Sequence, residues 1–285
     1  SPVFDSTGEV VAIHFAGTDT TSFEMRVEYL KDALSQLTAS GKVRRGDIGV
    51  DLDTILISDA RKHFKMPDAL AKELSALRGD IKRVASVESV GPRSPAAGQL
   101  MAGDIVLKVD GRWVGDDIYL FDRLVDEQVG RKTALTVLRN GRTLVVRLPV
   151  EDAEAGKTRS YALFAGAVVQ ALTPEHRLAL NIEGDGVFLP QAERGSSLAD
   201  LGREGSPTKY LLVVESVNGV PTPDLDRFIE VAKGLKDGDQ IYVNVSDRWR
   251  TQTNTLARLV RLNLKSSPLK VFDWSDKKLD WLPRP

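Results

Sequence analysis

The stretch Ser94-Pro95-Ala96-Ala97-Gly98-Gln99-Leu100-Met101-Ala102-Gly103-Asp104-Ile105-Val106-Leu107-Lys108-Val109-Asp110-Gly111 decides the fold. Small residues lead into Gly103-Asp104, an apolar strand follows, and Asp110-Gly111 closes it with a polar turn. Downstream, Leu135-Thr136-Val137-Leu138-Arg139-Asn140-Gly141-Arg142 runs into Thr143 to Leu148. Asn-Gly supplies the positive φ that a type I′ turn requires, so these segments predict a hairpin. Upstream, Ile48-Gly49-Val50 and Ile81 to Val84 add two strand candidates, and Asp116 to Gln128 predicts a short amphipathic helix stopped by Gly130. One domain over 42–150 accounts for them.

The order recurs further on. Strands are expected at Phe164 to Gln170, Gly186 to Leu189, Tyr210 to Val217 and Gln240 to Ser246, with a helix at Leu225 to Lys233 after Pro223-Asp224. Such a repeat predicts a second copy of the domain over 160–265. The charged, apolar-poor segment 151–159 reads as the linker and 266–285 as a tail, either docked or frayed. Before the first domain, Val3-Phe4 and Glu9 to Phe15 predict a hairpin around Gly8. Val27, Leu30, Leu34 and Leu37 then predict a helix over Phe23 to Leu37 that Ser40-Gly41 ends. This 1–41 segment is too small to fold alone.

Of the residues, 42% are hydrophobic and 28% charged, a globular composition. With 39 basic against 40 acidic side chains there is no field to gather phosphates, so nucleic acid is excluded as a first reading. Cysteine is absent, which removes disulfides and thiolate chemistry. No apolar run reaches the roughly 18 residues of a membrane span, and Ser1-Pro2-Val3 reads as carrying no signal peptide.

The two quoted segments resemble the PDZ domains of the HtrA/Deg proteases, whose pattern is a small-residue helix, Gly-Asp, an apolar strand with a polar-Gly turn, and an Arg-Xaa-Gly hairpin. Val213 to Gly219 is similar but more divergent, with Tyr210-Leu211 where Gly-Asp is expected. Ser1-Pro2-Val3-Phe4-Asp5 resembles the residues just after a trypsin-like nucleophile, which places that nucleophile outside the chain. The resemblance implies an α+β protein: two PDZ-like domains preceded by the last hairpin and helix of a trypsin-like β-barrel. It implies the regulatory and substrate-recognition region of a quality-control endopeptidase, periplasmic or organellar, itself without hydrolytic activity. Its partners would be extended or C-terminal peptides of unfolded proteins and the protease domain of the same protein, in a homo-oligomer. A nicked but assembled protease, and an oligomerisation module with self-occupied grooves, are the alternatives.

A PDZ domain takes a peptide as an added strand, with loop amides for the terminal carboxylate. The expected loop is Asp47-Ile48-Gly49-Val50 in the first domain and Phe164-Ala165-Gly166-Ala167 in the second. The strand edges continue as Asp51-Leu52-Asp53 and Val168-Val169-Gln170, and Ile118, Phe121 and Val125 are expected to line the pocket for the last side chain. An insertion over Ile55 to Gly79 includes a helix at Ala69 to Leu77, read as a packing helix, with a cover or gate over the peptide groove as the alternative.

Other candidates read as bland. The three histidines, His14, His63 and His176, have no ligand partner at metal spacing. Asp51, Asp53 and Asp59 lack a calcium-loop pattern, and Asp116-Asp117 reads as a helix cap. Ser1 sits at a structural position of the protease motif rather than acting as an N-terminal nucleophile. No cofactor and no metal are expected.

Overall fold

A computed structural model describes residues 1–77, 82–199, 201, 211–249 and 252–285. The chain divides into two compact units, Ser1–Val90 with Pro95–Ala155, and Gly91–Ser94 with Gly156–Pro285.

In the first unit the elements follow as β1 (Pro2–Phe4), β2 (Val10–Gly17), β3 (Ser22–Arg26), α1 (Val27–Ser40), β4 (Gly46–Asp47), β5 (Val50–Leu56), α2 (Ile57–His63) and α3 (Asp68–Ala76). After them come β6 (Arg83–Val90), β7 (Ile105–Val109), β8 (Arg112–Trp113), α4 (Ile118–Asp126), β9 (Lys132–Arg139), β10 (Arg142–Pro149) and β11 (Glu151–Asp152). Every strand pairing in both units is antiparallel. The main sheet runs β10-β9-β7-β6-β5, so β5 is an edge strand. Asn140 (φ 49°) and Gly141 (φ 81°) make the β9–β10 turn in the left-handed region that an Asn-Gly pair tolerates.

Alternation along the strands supplies two cores. Ala85, Val87, Val106, Leu135 and Val137 face Phe121, Leu124 and Val125 of α4. Val84, Ile105, Leu107 and Leu138 turn the other way, onto Ile57 and Ala60 of α2 and Leu74 of α3. The insertion is thus a cover for the second face of the sheet. It holds two helices where one was expected; the end of the insertion, 78–79, lies outside the described residues, as does Ile81 of the expected strand.

The N-terminal segment departs from expectation. Residues 22–26 are a strand, paired to β2 through Met25↔Ile13 and Glu24↔His14, and the helix begins at Val27 rather than Phe23. The β2 edge satisfies those backbone groups, and pairing overrides helical periodicity. Gly41 (φ 68°) caps α1, its N–H donating to the Leu37 carbonyl. No residue of α1 is buried, and Phe4, Phe15 and Leu34 are 59%, 67% and 53% exposed.

The second unit comprises β12 (Ser160–Phe164), β13 (Ala167–Ala171), α5 (Pro174–Leu180), β14 (Val187–Ala192), β15 (Leu212–Val217), β16 (Val220–Pro221), α6 (Leu225–Lys233), β17 (Gln240–Trp249), β18 (Gln252–Arg261), β19 (Lys270–Ser275) and β20 (Asp280–Pro283). Its sheet runs β18-β17-β15-β14-β13-β12-β19-β20. Helix α6 buries Leu225, Phe228, Ile229 and Ala232, and the Asp224 carboxylate caps it by accepting the Arg227 N–H at 2.8 Å.

One expectation changes here and one open alternative is settled. The strand foreseen over Phe164 to Gln170 is broken by a turn at Ala165-Gly166, and its two arms fold onto each other. The tail is docked: β19 pairs with β12, Tyr161 stacks on Phe272 at 5.0 Å, and Arg284 Nε donates to Asp273 at 2.9 Å. Tyr210 lies outside the described residues.

Candidate functional site

In the first unit, β4 leaves the neighbourhood of β5 and pairs with β11 through Asp47↔Glu151 and Gly46↔Asp152. Segment 151–152, read as linker, is therefore a structural strand. Its effect is to leave β5 paired, among the described residues, to β6 alone. Ile48 and Gly49 form the loop between β4 and β5, both buried, with Gly49 at φ 72°, a conformation that a side chain would strain. The Ile48 carbonyl accepts the Ala96 N–H at 3.0 Å, so the small-residue stretch of the quoted motif braces the loop. Asp47 Oδ1 accepts the Gly49 N–H at 2.6 Å.

Helix α4 is held beside β4 by its C-terminal turn. Asp126 accepts the Gly46 N–H at 2.7 Å and Arg45 Nη1 at 2.8 Å. A Cβ on Gly46 would stand 2.7 Å from the Val125 carbonyl, so only glycine permits this approach. The helix residues expected in the pocket divide. Phe121 and Val125 are core, 4% and 2% exposed, in one cluster with Ile48, while Ile118 is half-buried. Val50 and Leu52 of β5 pack partly against that same cluster, and Asp51 and Asp53 are exposed.

The outer face of α4 meets α1 through polar contacts that no local pattern announces. Tyr29 Oη donates to Asp122 at 2.5 Å, and Tyr119 Oη and Arg123 Nη1 donate to Asp32 at 2.6 and 2.5 Å. Arg26 Nη1 donates to Asp117 at 3.1 Å, and the Tyr29 and Tyr119 rings meet edge to face at 4.9 Å. Burial pushes the Asp122 carboxyl up to about 6 despite the Tyr29 hydroxyl, and burial together with Asp122 raises Tyr29. Asp32 is also partly desolvated, but the Tyr119 hydroxyl and Arg123 guanidinium hold it below the usual carboxylate range. Asp117 caps α4 as expected, accepting the Leu120 N–H at 3.0 Å.

The second unit places Phe164, Ala165, Gly166 and Ala167 at a tight hairpin turn, with Ala165 at φ 50° and Gly166 at φ 81°. Strand β12 lies along β13 through Phe164↔Ala167, Leu163↔Val168, Ala162↔Val169 and Tyr161↔Gln170, while β14 takes the other side. Both edges of β13 are filled by the chain itself. The Ala165 N–H donates to the Ser267 carbonyl at 3.1 Å. A cavity of about 210 Å³ remains beside the turn, lined by Phe164, Gly166, Glu193, Ser267 and Lys270 among others.

The bond from Gly49 to Asp47 was missed, although Asp two residues before an amide in a turn is its signal. The α1–α4 contacts and the filling of β13 join distant residues and carry no such signal. Among the described residues, no His, Asp and Glu side chains group for a metal, and no helix is long and apolar enough to cross a membrane.

Comparison with known proteins agrees with the geometry. Residues 46–150 match the family model of the PDZ domain, and residues 157–238 that of the PDZ-like domain. The chain is 27% identical to the pro-apoptotic serine protease NMA111 of Meyerozyma guilliermondii over 97% of its length and 28% of that protein's. It is 30% identical to the NMA111 protease of Yarrowia lipolytica over 85% of its own length and 24% of the relative's. The chain thus spans about a quarter of the curated relatives it matches. Among solved structures, an HtrA-type protease, AlgW with tripeptide, shares 23% identity over 53% of this chain and 48% of that one at a TM-score of 0.33, which carries no further conclusion.

Proposed function

The chain is a tandem-PDZ region of HtrA type, and from that premise we propose that its first unit captures extended segments of unfolded polypeptides for a serine endopeptidase of protein quality control. The observation that carries this reading is the free outer edge of β5, ending at a braced Ile48-Gly49 loop in the unit that also presents α4. An unpaired edge strand offers a row of backbone donors and acceptors, and an extended peptide completes it. The test is hydrogen exchange with and without an unstructured peptide that binds saturably. The reading expects amides within 50–56 to gain protection. Absence of saturable binding, or binding that leaves 50–56 unchanged, overturns it.

The module of β1 to β3 and α1 belongs to the same proposal. It exposes Phe4, Phe15, Phe23, Leu34 and Leu37 and buries nothing in its helix. A patch of that kind marks an interface. We assign it to the protease domain of the same protein. In the second unit a different observation favours the self-occupied alternative, since β12 fills the edge of β13.

A further inference from the structure

Resting on the strand-addition reading above, the side chains of β5 say which peptides suit it. The pairings Leu52↔Val87 and Thr54↔Ala85 put one set of residues on the face of the core shared with α4, where Val50 and Leu52 pack. Asp51 and Asp53, paired with Ser89 and Ser86, are exposed on the other face. Asp53 accepts the N–H of its neighbour Thr54 at 2.6 Å. Arg83 of β6 reaches β5 beyond the two acids, giving Nε to Thr54 Oγ1 at 2.8 Å and a second N–H to the Thr54 carbonyl, so its cation marks the far end of the slot. Glu88 sits on β6 at the register shift between Asp51 and Leu52 and adds a third acid to this lip.

The loop end of the strand carries the same sign. A terminal carboxylate held there would need the loop amides, but the Gly49 N–H is already given to the Asp47 carboxylate. A second carboxylate at that place meets repulsion as well as a taken donor.

We infer that the β5 slot selects internal, cationic extended segments, with apolar residues toward Val50 and Leu52 and Lys or Arg beside Asp51 and Asp53, and disfavours a free C-terminal carboxylate. A strand added to β5 sets alternate side chains directly beside those two acids, where opposite charges attract and like charges repel. Edge pairing supplies affinity for any extended chain, and the acidic lip supplies the choice among them.

Four labelled peptides titrated into the intact chain by fluorescence anisotropy test this. They share apolar residues at alternate positions, carry Lys or Glu between them, and end in an amide or a free acid. The Lys amide peptide is expected to bind about five- to tenfold more tightly than the Glu amide peptide, with a gap that narrows as salt rises. For either sequence the amide is expected to bind more tightly than the acid. The double variant Asp51→Asn, Asp53→Asn, changed only at exposed positions, should bind the Lys peptide more weakly than the parent does and no longer distinguish it from the Glu peptide. Equal or tighter binding of the Glu peptide, a preference for the free acid, or a Lys preference that survives the double variant overturns the inference while leaving strand addition standing. Failure of all four peptides to saturate overturns strand addition itself, and the inference with it.

Discussion

Asp104 and Arg139 lie one in each of the two segments from which the fold was read, and they close on each other as a two-pronged ion pair. Arg139 Nε donates to Asp104 Oδ1 at 2.7 Å and Nη2 to Oδ2 at 2.5 Å, while the Met101 N–H adds a third bond to a carboxylate that is 1% exposed. Arg139→Ala leaves that charge buried without its partner, and the first unit should lose about 3 kcal/mol. The midpoint of urea unfolding checks this. Replacing both partners together, Asp104→Leu with Arg139→Met, should cost less than the single change, because no orphan charge remains.

Asp122 has a carboxyl pushed up to about 6 from its ordinary 3.8, chiefly by burial against α1. Asp126 and Asp117 add to the rise, while the Tyr29 hydroxyl and the Arg45 guanidinium oppose it. A folded value above the unfolded one stabilises below about pH 4, and that contribution is lost as pH rises through about 6. Asp122→Asn keeps an acceptor for Tyr29 and removes the charge. The variant should match the parent near pH 4 and exceed its stability by about 1–2 kcal/mol at pH 8. Denaturant unfolding at the two pH values measures the difference, and equal stability at pH 8 sinks the assignment.

His176 works in the opposite sense. It caps α5 through Nδ1, which accepts the Thr173 N–H at 3.2 Å, and its ring lies 4.3 Å from that of Phe188. Burial holds it below the ordinary 6.5. The neutral ring is the folded form, so its contribution is full above pH 6.5 and is lost as pH falls below that value. The second unit should melt at a lower temperature at pH 5.5 than at pH 7.5. His176→Ala should lose about 1 kcal/mol at neutral pH and flatten the profile.

The pairing of β12 with β13 predicts a stoichiometry. Calorimetric titration with a saturating extended peptide should give one site per chain, since among the described residues β5 ends its sheet while β13 is paired on both sides. In hydrogen exchange without ligand, amides of Ala167–Ala171 should all be slow, and those of Val50–Leu56 should alternate between slow and fast. Two sites per chain would show that β12 yields its place.

Local chemistry made much of this legible. Asn140-Gly141, Asp117 and Gly41 act within a few residues of themselves, and turn or cap preferences found each of them. Strand β3 was misread as helix because Phe23 and Met25 alternate only in relation to β2, to which spacing along the chain is blind. Ala165-Gly166 was read both as the loop of the second domain and as part of a strand over Phe164 to Gln170, because the Gly signals a turn while the flanking apolar residues run unbroken. In the first unit, Phe121 and Val125 were correctly seen as apolar helix residues. Which wall of the helix they occupy depends on α4's approach to β4, fixed by Gly46 and Asp126 from far along the chain.

Strand β12 reaches its slot through a two-residue turn, so it is a ligand that never dissociates far from its receptor. A tether that short gives an effective concentration in the millimolar range or above, against which a free peptide of micromolar affinity competes poorly. The two copies of the domain therefore differ in availability: among the described residues the outer edge of β5 has no strand beside it, whereas that of β13 is taken by β12.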